Sequence, residues 1–301
     1  MFQKNKWKDA EEIIVVADFH SGAIDSIKRN STINHLHKEA EIPVGMSDLQ
    51  KYMDKKWKIV EEKHKYATHV FMLGDMVEGA DEKSKGLSCW TTDLDTQALN
   101  VVELFYAFED AVFYGVEGSR YHSQHNPSQD KKVLDELGGY FQHKDYEVTV
   151  GGIKFHLRHF SGYTKNKKTR ATSLGEDLTK AEMYSHIYGD IDVFLRAHCH
   201  YFTYFGLACP DRLGIVCPGF KGRDVFVAHR GLDVPDCGYL VFNVVDGQYT
   251  WSYDVWQLPK NMLIATAPVI PKEDKTARRN RIEQLRNRVE TKKLEELSEN
   301  I

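Results

Sequence analysis

Carboxylates and imidazoles gather at the ends of apolar runs in this 301-residue chain. The run from Ile13 to Ala17 stops at Asp18-Phe19-His20, and the run from His69 to Leu73 stops at Gly74-Asp75-Met76-Val77-Glu78. Val112 to Val116 stops at Glu117-Gly118-Ser119-Arg120-Tyr121-His122, the stretch Tyr146 to Phe160 reaches His159, and Ile191 to Leu195 stops at Arg196-Ala197-His198-Cys199-His200. One histidine at a strand end is commonly structural, but a set of strand ends that all deliver such groups points to a shared site. Oxygen and imidazole ligands without cysteine suit two adjacent divalent cations, manganese first, with iron, zinc or nickel as alternatives. They argue against a closed structural zinc.

Each of these groups needs an element to carry it. The short apolar runs read as buried strands, and Ser47 to Tyr66, with Leu49, Met53, Trp57 and Val60 at helical spacing behind a Ser47 N-cap, reads as a helix. The opening is therefore β-α-β. A second helix is expected over Asp93 to Phe108, a short one near Lys131 to Phe141, a hairpin turning at Gly151-Gly152, and a helix over Leu174 to Tyr188. Further strands are expected at Gly214 to Val216, Tyr239 to Val245 and Tyr249 to Trp256. Residues 1–270 read as one domain, and 271–301 as a charged helical tail with Ile282, Leu285, Val289, Leu294 and Leu297 roughly along one face.

Composition limits the function classes. With 42% hydrophobic residues the chain can bury a full core, so a disordered protein is excluded. Its apolar runs are far shorter than the ~20 residues of a membrane span. A formal charge of -4 gives no global field for nucleic acid or an anionic membrane, so any polyanion site is local. The five scattered cysteines, Cys89, Cys199, Cys209, Cys217 and Cys237, form no C-x-x-C pair and fit a reducing, cytoplasmic compartment without an export signal.

In their order, these motifs resemble the calcineurin-like metallophosphoesterases, whose pattern runs D-x-H, G-D-x-x-[DE], G-N-H-[DE], a lone His and G-H-x-H. Asp18-Phe19-His20, Gly74-Asp75-Met76-Val77-Glu78, His159 and Ala197-His198-Cys199-His200 match, with Ala197 in place of the last glycine. The resemblance implies a four-layer α/β/β/α sandwich of two mixed sheets flanked by helices. It also implies a two-metal site in which Asp75 bridges, with Asp18, His20 and His200 on one ion and His159 and His198 on the other. In the family, a hydroxide shared by the metals attacks the phosphate ester.

The third motif departs from the pattern, since Gly118-Ser119-Arg120-Tyr121-His122 stands where Gly-Asn-His is expected. This variant resembles viral and archaeal members, in which the histidine is displaced by two residues; a viral chain would work in the host cytoplasm. His122 is carried over as general acid or substrate contact, with Glu78 as its partner. Ser119 and Asn126 both stand as candidates for the missing amide ligand, and the sequence leaves the choice open. Strand alternation puts His159 and His156 on opposite faces, the strand end beside Ser161-Gly162 favours His159 as the ligand, and Cys199 is placed in packing.

Arg120, the basic stretch ending in Arg170, and Lys221 and Arg223 around a glycine-rich turn are candidates for gripping substrate phosphate. No Walker-type or dinucleotide-binding glycine motif occurs. The expected function is a two-metal phosphoesterase with a phosphate-ester substrate. One branch is a phosphodiesterase, nuclease or phosphatase of nucleic-acid metabolism with DNA or RNA as partner. Another is a monoesterase acting on a phosphoprotein, nucleotide or small molecule. A third keeps the fold as a catalytically impaired binding scaffold, with the altered third motif as its support. The tail is a candidate for oligomerisation, and no membrane partner is expected.

Overall fold

In a computed structural model, residues 7, 9–29, 45–80, 85–86, 88–123, 128–162, 166–208, 211–223 and 234–259 are described. The tail 271–301 and Asn126 lie outside them. The first half contains β1 (Glu11–Val16), α1 (Asp48–His64), β2 (His69–Met72), α2 (Leu94–Leu104), β3 (Val112–Val116), α3 (Arg120–Ser123), α4 (Gln129–Glu136) and β4 (Tyr140–Gln142). The second half contains β5 (Asp145–Val150), β6 (Ile153–Arg158), α5 (Thr172–Met183), α6 (Ser185–Tyr188), β7 (Val193–Arg196), β8 (Thr203–Ala208), β9 (Asp211–Val216), β10 (Cys237–Val245) and β11 (Gln248–Trp256).

The strands form two mixed sheets. One runs β11-β10-β1-β2-β3-β4, with β1 to β4 parallel and β10 and β11 added antiparallel. The other runs β5-β6-β7-β9-β8, with β6, β7 and β9 parallel and β5 and β8 antiparallel at its edges. Strand β1 shows why the layers stack, because it is apolar on both faces. Ile13 and Val15 enter a core with Phe71, Leu73, Phe155, Leu195 and Phe242 between the sheets, whereas Ile14 and Val16 enter a second core under α1 and α2. On the far side, Leu178 and Ala181 of α5 pack against Phe194 of β7. The order is helix, sheet, sheet, helix, as the sequence implies.

Local chemistry sets the element ends. Ser47 and Gln50 form a reciprocal capping box at the start of α1, and Asp93 caps α2 by accepting from the Thr96 N–H. The helix expected near Lys131 to Phe141 is shorter than that: it stops at Glu136, Gly138 takes a left-handed φ of 67°, and Tyr140 pairs with Tyr114 in a parallel ladder instead. The helix expected over Leu174 to Tyr188 breaks at Tyr184 into α5 and α6. Strand β8 was not expected; it is a sheet edge whose Tyr204 and Phe205 are both exposed, so no alternation marks it. No helix among the described residues is long and apolar enough to cross a membrane.

An aromatic cluster anchors the first motif to the helical layer. Phe19 stacks on Phe220 at 4.3 Å and meets Trp57 edge-on at 5.5 Å, while the Trp57 indole N–H donates to the Leu104 carbonyl at 2.7 Å. Trp57→Ala removes the centre of this cluster and should cost about 3–5 kcal/mol, measured by urea unfolding; a change below 1 kcal/mol would reject the anchoring role.

Candidate metal centre

Two loops that leave the parallel strands β1 and β2 are zipped together by their backbones. The Asp18 N–H donates to the Gly74 carbonyl at 3.0 Å, the His20 N–H to the Asp75 carbonyl at 3.0 Å, and the Ser21 N–H to the Met76 carbonyl at 2.9 Å. Asp130 of α4 joins the third loop to this pair, accepting from the N–H groups of Asp75 (3.3 Å), Met76 (2.8 Å) and Gly118 (2.8 Å). Gly118 permits this approach, because a Cβ there would lie 2.2 Å from the Asp75 nitrogen.

The backbone is strained where the candidate ligands sit. Asp18, His20, Asp75, His198 and His200 all adopt left-handed conformations, with φ between 46° and 73°. Such geometry costs an L-residue roughly 1–2 kcal/mol and survives only where the surroundings fix it. Phe19 explains the local pattern. Its ring turns into the aromatic cluster, and its flanking residues Asp18 and His20 both belong to the centre.

Three groups of ligand atoms lie close enough to hold a cation: Asp18, His20 and His200; Asp75, His159 and His198; and His20, Asp75 and His122. Within each, all ligand atoms fall within 4.8 Å of one another. The nitrogens Nε2 of His20 and Nε2 of His200 are 3.0 Å apart, Nε2 of His159 and Nδ1 of His198 are 3.2 Å apart, and Nε2 of His159 is 3.1 Å from Oδ2 of Asp75. Asp18 is fully buried, and its Oδ1 has no hydrogen-bond partner. Clustered imidazole nitrogens beside a buried carboxylate oxygen left without a donor are what a divalent cation would satisfy, so the residues fit metal. Outer contacts orient them as well. His159 is held through Nδ1 by the Leu73 carbonyl at 2.7 Å, and His20 through Nδ1 by the Glu78 carboxylate at 2.8 Å.

Burial and neighbouring charge displace the titrations. Burial pushes Asp18 up to about 7 and, with the Asp75 charge, Asp130 up to about 6. Burial followed by the charges of His122 and Lys221 pushes His20 down to about 4, and burial also holds His198 and His200 below the usual imidazole range. Burial opposes ionisation of Asp75 and His159, but their mutual attraction prevails, lowering Asp75 and raising His159 to about 9.

The remaining expected site residues are distributed as follows. Ser119 donates its N–H (2.6 Å) and its hydroxyl (3.1 Å to either oxygen) to Asp75. His122 meets its expected partner Glu78 through that residue's backbone carbonyl at 2.7 Å, and the Glu78 carboxylate stands 3.6 Å from the same ring nitrogen. The Glu78 carboxylate serves His20 and Lys221 instead, accepting from the Lys221 ammonium at 2.9 and 3.0 Å. Lys221, expected as a phosphate contact, is thus engaged in a buried ion pair behind His20. Arg170 lies over the Tyr201 ring at 4.4 Å, Arg120 is exposed, and Arg223 follows the glycine-rich turn in a half-buried position. His156 accepts from Arg196 away from the ligand groups, and Cys199 packs with Leu174, Tyr201 and Val216. Sequence reading missed Asp130, which looks like an ordinary acid in the first turn of a helix, and Gln97, a helical glutamine whose side chain both donates to and accepts from the distant Gly79 backbone.

No protein-family profile and no curated protein matches the chain by sequence. The order of the motifs along the chain resembles that of the calcineurin-like metallophosphoesterases. Among solved structures the chain is similar to an archaeal phosphodiesterase at 13% identity, covering 81% of this chain and 99% of that one, with a TM-score of 0.41. It is also similar to YfcE, a phosphoesterase from E. coli (10% identity, 82% and 100% covered, TM-score 0.40). A third is Vps29 from Entamoeba histolytica in complex with zinc (12% identity, 82% and 99% covered, TM-score 0.37).

Two outcomes test this geometry. Asp130→Ala leaves three backbone N–H groups without an acceptor and should cost about 3 kcal/mol or more in urea unfolding, with weakened metal retention. Ligands must be deprotonated to bind, and at pH 7 His159 holds its proton and Asp18 is near its midpoint. Loading a divalent cation at pH 7 should therefore release about one proton or more, with affinity falling as pH drops. Titration calorimetry in buffers of different ionisation enthalpy reads this release, and a proton count of zero would contradict it.

Proposed function

We propose that the chain is a two-metal phosphoesterase acting on phosphodiesters of nucleic-acid metabolism, with manganese as its foremost metal. The carrying observation is that two ligand groups, Asp18-His20-His200 and Asp75-His159-His198, are bridged by a third group that shares His20 and Asp75 with them. These residues would hold divalent cations, whose chemistry there would be Lewis-acid polarisation of phosphoryl oxygens and activation of a water.

The protein's own groups supply the rest. Asp75 offers carboxylate oxygens between the two sets, and the Ser119 N–H fixes the orientation of that carboxylate. His122 stands with its ring edge-on to His20 at 4.4 Å and is partly exposed, so substrate can reach it. Its Nδ1–H donates to the Glu78 carbonyl, which fixes the ring and leaves Nε2 to carry the proton that a departing oxygen requires. Of the two candidates for the missing amide, Ser119 adjoins Asp75 and Asn126 lies outside the described residues. A second reading, a binding protein without turnover, draws support from the same serine, since its hydroxyl already occupies both Asp75 oxygens.

Metal analysis coupled to turnover of a bis-aryl and a mono-aryl phosphate separates these readings. Metal bound with faster diester turnover supports the diesterase, and bound metal without turnover supports the scaffold. Asp75→Asn should lose one or both metals and all activity; retained metal and turnover would reject the bridging role. His122→Ala should keep metal and slow turnover by about 10²–10⁴-fold, most with poor leaving groups. Loss of metal in that variant would instead make His122 a ligand of the third group.

A further inference from the structure

A cavity of ≈ 560 Å³ opens beside the candidate centre and shares His159 and Gly118 with it. Gly118 closes against Asp75 on one side, so a phosphate at the centre would have this cavity as a neighbour. Its walls come from the loop after β3 and from the segment joining β4 to β5, two edge strands of different sheets, together with the end of β6.

The lining is net positive, because the cations Arg120, Lys144 and Arg158 stand against the carboxylates Glu117 and Asp145. Glu117 is engaged by His143 at 3.3 Å, and Asp145 by Arg158 at 2.5 and 3.2 Å. Arg120 and Lys144 line the same cavity, both exposed, and neither has an acidic partner among the described residues. Two exposed cations without a paired carboxylate beside the candidate centre hold no catalytic role in the geometry above, and suit a second anionic group at some distance from the reacting one. Phe160 adds a flat apolar surface. It is 50% exposed, and its ring is braced against His159 at 5.1 Å and His198 at 4.9 Å. An aromatic face left half in water at the rim of a cationic cavity is suited to stacking on a nucleobase.

We propose that this cavity is a nucleotide subsite: Lys144 and Arg120 hold a second phosphate, and Phe160 stacks the base between it and the reacting phosphate. The inference rests on the phosphoesterase reading for the reacting phosphate. It names the substrate class as a phosphate ester that carries a nucleobase and a further phosphate, which an oligonucleotide provides as a diester and a nucleoside bisphosphate as a monoester.

The test is equilibrium binding by the full, manganese-loaded chain of thymidine 3′,5′-bisphosphate, thymidine 5′-monophosphate and a single-stranded oligothymidylate. The bisphosphate should bind about 10-fold tighter than the monophosphate, with a preference that shrinks as salt rises. Lys144→Ala, an exposed change that leaves the core intact, should reduce that preference to about twofold or less. Phe160→Ala should weaken both nucleotides while leaving their ratio in place. Equal affinities in the unaltered chain, or a full preference in Lys144→Ala, would overturn the subsite. An oligothymidylate that outcompetes the bisphosphate identifies a strand as the source, and the reverse identifies a free nucleotide. Elemental analysis keeps the two proposals apart: a chain without metal that retains the preference refutes the phosphoesterase and keeps the subsite, whereas a metal-loaded chain with no preference does the opposite.

Discussion

Left-handed backbone at Asp18, His20, Asp75, His198 and His200 is the constraint that the surrounding structure has to satisfy. An L-residue leaves that conformation unless neighbouring contacts make every alternative worse. Strands β1 and β2 meet this by running parallel and in register, so that their loops exchange backbone hydrogen bonds beyond the sheet. The third loop joins through Asp130, whose carboxylate accepts from both sides of the junction. Each device acts on backbone, which leaves the strained side chains available for the centre.

The same concentration of polar groups creates an electrostatic load. Asp18, Asp75 and Asp130 are all essentially buried and raise one another's cost of ionisation, and His159 offsets that for Asp75. Glu78 and Lys221 form a second balanced pair behind His20. Buried charge of this kind is poor at stabilising a fold, and its value lies in a site that needs fixed ligands.

Much of this was legible in the residues. Strand ends that finish in Asp or His are a local signal, and β1, β2, β3 and β7 occur where their apolar runs predict them. The capping box at Ser47 is equally local, since both of its partners lie within one turn. The missed features depend on distance or on backbone. Nothing near Asp130 says that its carboxylate will meet Gly118 and Met76, and Lys221 resembles a surface lysine until Glu78 is folded onto it. The overextended helix before β4 failed because Tyr140 and Phe141 suit helix periodicity and strand pairing equally, and the parallel ladder with β3 decides between them.

The anchoring of Phe19 in the aromatic cluster makes the dependence between core and centre run one way. The rings of Trp57, Phe105 and Phe220 pack against one another without any ligand atom, so the helical layer stands whether or not a cation is present. The ligands borrow their position from that layer and return little to it. Such a centre would be a socket already formed before it is filled. An ion held there would be exchangeable while the polypeptide stays folded, and its identity would follow the supply around the protein rather than the history of its folding.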